Sequence, residues 1–201
     1  MPSQRRVRPI VRPVFHHTTL TTLHLDEMID FYEKVAGLEP VYYSPGGAWL
    51  SNDDANHRIA LLALPGLHVP EDKAHTIGLH HTAFEYAGFD QWIDNYARLR
   101  DDGIRPFLNL DHGMTMSSYY QDPEGNAVEL QVDSFGSWSK GKEWMWASAE
   151  FGDNPIGAHF DPDLVHDAYL HGASFEEIHR RARAGEFEPA VKPDVYLPEL
   201  W

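Results

Sequence analysis

Cysteine is absent from this chain of 201 residues. The absence excludes disulfide bonds and metal sites built from thiolates. Long hydrophobic runs are also missing, since no apolar stretch reaches the roughly 20 residues that a membrane-spanning helix needs. Residues 1–13 form a basic arm that lacks the apolar core of a secretory signal. We therefore expect a cytoplasmic protein with no membrane partner.

Positive charge is scarce as well. Sixteen lysines and arginines stand against 31 aspartates and glutamates, which gives a formal net charge of -15. Such a surface repels a phosphate backbone, so we expect no nucleic-acid partner. Histidine, by contrast, is abundant, with 13 residues. Many histidines without cysteine are typical of a metal site with nitrogen and oxygen ligands.

An internal repeat organises the first two thirds of the chain. Residues 14–37 and 78–103 each open with a strand-like segment that carries a histidine pair, and the two pairs are 64 residues apart. Apolar residues then recur with the i, i+3, i+4, i+7 spacing of one helix face. These residues are Leu25, Met28, Ile29, Tyr32 and Val35 in the first unit, and Phe89, Trp92, Ile93, Tyr96 and Leu99 in the second. Three strand-like runs follow each helix, so each unit is predicted to be βαβββ.

The predicted fold is α+β, with paired βαβββ modules that form a concave sheet around a metal site. The segments are an N-terminal arm (1–13), a first module (14–64), a linker (65–76), a second module (77–132) and a C-terminal extension (133–201). The extension is predicted to be mostly helical or irregular and to pack on the modules. Asp161 and Ser174 are the expected starts of its helices, because both are good N-cap residues.

Alternation along the strands predicts which side chains face the concave side. The helices should cover the face that carries Leu20 and Phe84, so His17 and His81 point the other way. Apolar residues alternate along the last strand of the second module, so Glu129 points into the same cavity. Two imidazoles and one carboxylate form a facial triad that leaves positions open on Fe(II). The sequence therefore predicts a metal site made of His17, His81 and Glu129.

The other histidines lack this joint support. His16 and His80, beside the two predicted ligands, are expected to be structural or to contact those ligands. The remaining ones are interpreted as surface or packing residues. They are His24, His68, His75, His159, His166, His171 and His179.

The segment that ends at the predicted glutamate ligand carries a more specific pattern. It contains His112, then Tyr119, then an Asp-Pro-Glu-Gly turn, then Glu129. This order resembles the signature of type I extradiol ring-cleavage dioxygenases, which belong to the vicinal-oxygen-chelate superfamily. Leu110 and Ser118 depart from the usual residues of that signature, and neither departure removes a reacting group.

The resemblance also implies roles for individual residues. Residues 56–61 are similar to the segment that carries the catalytic histidine of the family, which gives that role to His57. His57 would stabilise negative charge and transfer a proton. Tyr119 would hydrogen-bond a substrate oxygen, with support from His112. Trp49 lies where family members often place an aromatic wall of the substrate pocket.

The resemblance covers about residues 14–132 and implies a reaction. That reaction is Fe(II)-dependent cleavage of the aromatic ring of a catechol-type substrate by O2, with Mn(II) as the other possible ion. A small catechol and O2 are therefore the expected partners. The tryptophan-rich extension, residues 133–201, is hypothesised to cover either the mouth of the pocket or a subunit interface, and a homo-oligomer is also expected.

Other proteins with paired βαβββ modules provide the alternative functions. One is a metal-dependent isomerase, epimerase or glyoxalase-like enzyme, and another is a drug-binding protein of the bleomycin-resistance type. Glyoxalase-like sites usually take a fourth ligand from the last strand of the other module, but residues 58–64 contain no carboxylate. This favours the oxygenase, although an epimerase or a thiol transferase also uses three ligands. Bleomycin-binding proteins generally lack the metal triad.

Overall fold

The computed structural model describes residues 11–73 and 75–195. Most of the predicted N-terminal arm therefore lies outside the described residues. The first module contains β1 (Thr18–Thr21), α1 (Leu25–Ala36), β2 (Glu39–Ser44), β3 (Gly47–Ser51) and β4 (Ile59–Leu62). The second contains β5 (His81–Tyr86), α2 (Phe89–Asp101), β6 (Leu108–Asp111), β7 (Thr115–Gln121) and β8 (Ala127–Asp133). The extension contains α3 (Trp138–Ala147), α4 (Ala149–Asp153), β9 (Ala158–His159), α5 (Pro162–Leu170) and α6 (Phe175–Arg183).

The strands form two hydrogen-bonded sheets with the same internal plan. The first has the order β1-β4-β3-β2, and the second has the order β5-β8-β7-β6-β9. In each sheet the first and last strands of the module run parallel, with Thr18 beside Ile59 in one and Thr82 beside Val128 in the other. The predicted α+β fold of paired βαβββ modules is therefore confirmed. The short strand β9, which the sequence did not predict, adds the extension to the edge of the second sheet.

Strand β6 begins at Leu108, several residues after the end of α2 at Asp101. This gap has a local cause. Gly103 has a φ of 81°, and the backbone N–H of Ile104 donates to the carbonyl of Leu99, so these residues close the end of α2. Pro106, which has no N–H to donate to a ladder, follows before the strand starts.

The helices bury the faces that their periodicity predicted. Met28, Tyr32 and Val35 of α1 are buried, as are all five apolar positions of α2. Two apolar clusters result, one for each module, and Phe31 and Phe84 pack against both. The helices thus cover one face of each sheet and leave the opposite face for side chains that do not belong to the core.

A turn of the second module holds the end of β1. Glu124 Oε1, in the turn between β7 and β8, accepts hydrogen bonds from Thr22 Oγ1 at 2.7 Å and from the backbone N–H of Leu23 at 2.6 Å. The hydroxyl of Tyr32 donates to Asp122 in the same turn at 3.3 Å. These bonds, together with the shared core residues, fix one module against the other.

The extension packs through α5 and α6 against the second module. Asp161 and Ser174 accept hydrogen bonds from backbone N–H groups of the first helical turn, as expected of N-caps. Val165 and Ile178 are fully buried in the cluster that surrounds α2. No helix in residues 11–73 and 75–195 combines the length and apolarity that crossing a bilayer requires.

Candidate active site

The open face of the second sheet carries His81 and Glu129. Both Val128 and Leu130 are buried in the core, so alternation along β8 turns Glu129 to the opposite face. His81 is the first residue of β5, the parallel neighbour of β8. Its Nε2 lies 3.0 Å from Glu129 Oε2. Two of the three predicted metal ligands are therefore in direct contact.

A hydrogen-bonded chain continues from the carboxylate. Tyr119 of β7 is the cross-strand neighbour of Glu129, and its hydroxyl donates to Glu129 Oε1 at 2.9 Å. His112 Nε2 lies 2.9 Å from the same hydroxyl oxygen. Because a tyrosine hydroxyl has one proton, and that proton points to Glu129, the matching tautomer of His112 donates through Nε2. The two oxygens of Glu129 thus have different partners.

Burial shapes the acid–base state of this chain. Burial lowers the pKa of His112. It also raises the pKa of Tyr119, and the neighbouring Glu129 carboxylate adds to the effect. For Glu129, burial favours a higher pKa, but hydrogen bonds outweigh it and lower the pKa, with that from His81 the strongest. Near neutral pH this combination gives a charged carboxylate beside a neutral tyrosine and a neutral imidazole.

The donor atoms of His81 and Glu129 fit a metal ion that prefers nitrogen and oxygen ligands. Neighbouring corners of an octahedron with metal–ligand distances of roughly 2.1 Å are about 3 Å apart, and the observed separation is 3.0 Å. His80 Nδ1 lies 2.7 Å from His81 Nδ1, which leaves His81 Nε2 for an ion. A partner on the far nitrogen of a ligating histidine fixes its tautomer and ring orientation.

His17, the third predicted ligand, lies with other histidines. It precedes β1, and its ring centroid is 4.2 Å from that of His57. His16 Nδ1 is 3.1 Å from His17 Nδ1. No ion pair joins His17 to Glu129 within the described part of the chain, so the convergence of all three ligands stays a prediction. Partial desolvation and the nearby imidazoles of His17 and His16 lower the pKa of His57.

The strand registers reveal which residues are equivalent in the two modules. Thr19 lies beside Ala60 in the first sheet, and Ala83 lies beside Glu129 in the second. Ala60 is therefore the structural counterpart of Glu129. The first module therefore has no carboxylate at the position that Glu129 occupies in the second.

A cavity of about 570 Å³ lies over the second sheet. Its floor includes His81, Tyr119 and Glu129, and helix α3 of the extension forms another wall. This wall agrees with the hypothesis that the extension covers the mouth of the pocket, and helical spacing identifies the residues that form it. The lining residues of α3 are Trp138, Gly141, Lys142 and Met145, at positions i, i+3, i+4 and i+7 of one helix face.

Trp49, the predicted aromatic wall, is not among the residues that line this cavity. It lies on β3 in the first sheet, where it is half-buried against Tyr42 with ring centroids 5.5 Å apart. Trp49 is the cross-strand neighbour of Ala60 and faces the open side of the first sheet, because Ala48 and Leu50 on either side of it are buried in the core. Its proposed substrate role therefore stays a prediction.

The turn that carries His112 is anchored by the extension. Asp111 is fully buried, and its carboxylate lies 2.7 Å from His179 Nδ1 and 3.4 Å from Arg183 Nη1. Gly113, with a φ of 86°, has room for no side chain, since a Cβ there would collide with Trp144 and Arg183. His179, interpreted from the sequence as a surface or packing residue, thus anchors this turn. A pairing across 68 residues leaves no local signal in the sequence.

Comparisons with known proteins agree with this architecture. The model of the Glyoxalase/Bleomycin resistance protein/Dioxygenase superfamily matches residues 14–130. The chain is 39% identical over 174 residues to biphenyl-2,3-diol 1,2-dioxygenase 3 of Rhodococcus globerulus, an alignment covering 87% of this chain and 91% of the relative. It is 37% identical over 177 residues to biphenyl-2,3-diol 1,2-dioxygenase 2 of the same organism, with 88% and 92% covered.

Among solved structures, a lactoylglutathione lyase from Agrobacterium tumefaciens is 22% identical with a TM-score of 0.49, and the match covers 63% of this chain and 97% of that one. The family model matches more than half of the chain, and both biphenyl-diol dioxygenases are covered over most of their length. The chain therefore belongs to the Glyoxalase/Bleomycin resistance protein/Dioxygenase superfamily.

Proposed function

We propose that this protein is a metal-dependent extradiol dioxygenase that opens the ring of a catechol-type substrate and incorporates both atoms of O2. Fe(II) is the proposed ion, with Mn(II) as the other candidate, and His17, His81 and Glu129 are the proposed ligands. The observation that carries the proposal is the contact between His81 and Glu129. Glu129 is also hydrogen-bonded to Tyr119, and all three residues line a cavity. The two relatives named biphenyl-2,3-diol dioxygenases support a bicyclic catechol as the substrate.

A bound ion would supply open coordination positions for two substrate oxygens and O2, and would lower the pKa of the substrate phenol. Glu129 supports this role because it is charged and its second oxygen is fixed by Tyr119. His81 supports it because the His80 contact leaves Nε2 available. His17 occupies the position of the repeat that is equivalent to His81.

Tyr119 is the proposed contact for a substrate oxygen. Its hydroxyl lies on the cavity floor next to the ligand carboxylate, within reach of a molecule that is seated over Glu129. His112 donates to the oxygen of that hydroxyl and so fixes the direction of its proton. His112 is thereby proposed as a positioning residue for Tyr119, and burial keeps it neutral.

His57 is the proposed proton donor on the side of the site formed by the first module. It contacts the ring of His17 and is not one of the proposed ligands. Its lowered pKa makes the protonated ring a stronger acid than an ordinary histidine. Its proposed work is to stabilise negative charge that develops on oxygen and to transfer a proton there.

The absence of a carboxylate at Ala60 favours this reaction over a glyoxalase-like one. A fourth protein ligand from β4 would fill a position that substrate and O2 need, and the counterpart of Glu129 in that strand is an alanine. An isomerase, an epimerase or a drug-binding protein would differ from the proposed enzyme in its consumption of O2, which makes the test direct.

Anaerobic reconstitution with Fe(II) or Mn(II), followed by a panel of monocyclic and bicyclic catechols, tests the proposal. We expect O2 uptake equal to substrate loss and the appearance of a yellow ring-opened product. His57→Phe should keep the metal and lower turnover by about 10²- to 10⁴-fold, the usual contribution of an acid–base residue. Failure of both metal-loaded forms to cleave any catechol would rule out the dioxygenase and favour the isomerase or epimerase.

A further inference from the structure

Three imidazoles meet beside the start of the first sheet. One ring nitrogen from each of His16, His17 and His57 lies within 4.8 Å of the others. The backbone brings them together, because Thr18 N donates to the carbonyl of Arg58 at 3.0 Å and Thr18 pairs with Ile59. When this parallel register is extended by two residues towards the N-terminus, His16 lies beside His57. The cluster is thus a consequence of strand pairing.

The spacing of the ring nitrogens suits a small metal ion. His16 Nδ1 and His17 Nδ1 are 3.1 Å apart. Two ligands of a tetrahedral ion with metal–nitrogen distances of about 2.05 Å are about 3.3 Å apart. His16 and His17 are exposed and His57 is half-buried, so the rings have room to rotate towards one ion.

The charges around the cluster favour an ion that accepts nitrogen ligands alone. Ala60 stands where a carboxylate stands in the second module, so β4 adds no oxygen ligand. A neighbouring cation, Arg58, donates to the carbonyl of His16 and is neutralised by Asp53 at 2.7 Å. Imidazole ligands suit Zn, Cu, Ni and Fe ions, whereas Mg(II), Ca(II) and Mn(II) prefer oxygen. Tetrahedral spacing of the nitrogens favours Zn(II) among the first group.

We infer that His16, His17 and His57 form a second metal site that takes a Zn(II)-like ion and competes with the catalytic ion for His17. The competition rests on the proposed function, because it requires His17 to be a ligand of the catalytic metal. Binding at the three-histidine site does not depend on that function. A chain with both sites would be inhibited by Zn(II) through the capture of one shared ligand.

The second module provides a matched control. His80 contacts His81 through Nδ1 at 2.7 Å, much as His16 contacts His17. The same register that sets His57 beside His16 sets Asn126 beside His80, so the second pair lacks a third imidazole. His16→Ala and His80→Ala therefore remove equivalent histidines, but His16 belongs to the proposed site and His80 does not.

The first experiment measures Zn(II) affinity of the metal-free Glu129→Gln protein, in which the catalytic set is broken, with a chromophoric zinc indicator. We expect one tight site that His16→Ala or His57→Ala weakens by about 10-fold or more, the lower bound even for losing an outer partner. His80→Ala should change the affinity by less than about threefold. Equal effects of His16→Ala and His80→Ala, or no tight site, would overturn the inference without touching the proposed dioxygenase.

The second experiment follows iron release when Zn(II) is added to the Fe(II)-loaded protein with Glu129 intact. We expect Zn(II) to displace iron, and His16→Ala to raise the Zn(II) concentration needed by about 10-fold or more. Zinc binding in the first experiment with undisturbed iron in the second would overturn the competition. That result would also remove His17 from the proposed iron ligands while leaving the three-histidine site in place.

Discussion

Trp49 and Ala60 in the first module occupy the positions that Tyr119 and Glu129 occupy in the second. Both pairs are cross-strand neighbours between the third and fourth strands of their modules. One pair is apolar, whereas the other is a hydrogen-bonded tyrosine and carboxylate. The repeated fold therefore fixes where two side chains meet, and the residue types decide whether that place can hold a metal ion.

The two modules also differ in how deeply their tyrosines are buried. Tyr119 is only 5% exposed, whereas Tyr42 and Tyr43 of the first sheet are 61% and 52% exposed. The extension contributes to this difference, because α3 lines the cavity over the second sheet and α6 holds the turn that carries His112. Strand position contributes as well, since Tyr119 lies on an interior strand and Tyr42 and Tyr43 lie on an edge strand. Hydrogen bonds are electrostatically stronger away from water, so the same polar chain on the first sheet would be weaker. The extension thus helps to confine the proposed chemistry to the second module.

The largest expected effect comes from removing the carboxylate that distinguishes the second module from the first. Glu129→Gln removes the charge that His81 and Tyr119 contact, so we expect loss of tight iron binding and a fall in activity of at least about 10²-fold, the lower end for removing one group that stabilises charge in an active site. Metal content and thermal melting of the purified variant check this. Asp122→Asn removes a buried carboxylate from the β7–β8 turn and should keep its iron. Equal iron loss in both variants would point to general unfolding.

A second expected effect concerns the anchor of the extension. Asp111→Ala leaves His179 and Arg183 without their buried partner, and we expect the free energy of unfolding to fall by about 3 kcal/mol. Urea unfolding measures it. Asp167→Ala breaks an exposed histidine–aspartate pair on α5 and should have little effect. If the two variants were equally stable, the extension would not be held through Asp111.

A third effect distinguishes the counterparts Tyr119 and Trp49. Tyr119→Phe removes the hydroxyl that links Glu129 to His112. We expect turnover to fall by roughly 10- to 100-fold with iron retained, because a hydrogen bond to a charged group is worth about 1.5–3 kcal/mol. Trp49→Phe should mainly raise KM, if its predicted substrate contact exists. Steady-state kinetics on one catechol separates the two, and unchanged turnover in Tyr119→Phe would remove it from the reaction.

Some parts of this structure can be predicted from the sequence because they depend on local periodicity. Alternation along β8 identified the outward face of Glu129, and helical spacing identified the buried face of α2. The pairing of Asp111 with His179 depends instead on how the extension packs after the chain has folded back. The place of His17 depends on how two modules close, which a strand pattern does not specify.

The smallest expected effect concerns the loop that leads to His57. Asp53 accepts hydrogen bonds from Arg58 and from the backbone N–H of Ala55. These bonds lower the pKa of Asp53 from 3.8 to about 2. A carboxyl whose pKa is lower in the folded state stabilises the fold above its unfolded pKa, and that contribution disappears as the pH falls toward 2. Asp53→Asn should therefore lower Tm slightly at pH 7, and the difference should shrink as the pH falls through about 2. Melting curves of both proteins from pH 2 to 7 measure the difference, and a Tm difference independent of pH would mean that Asp53 acts through shape and not charge.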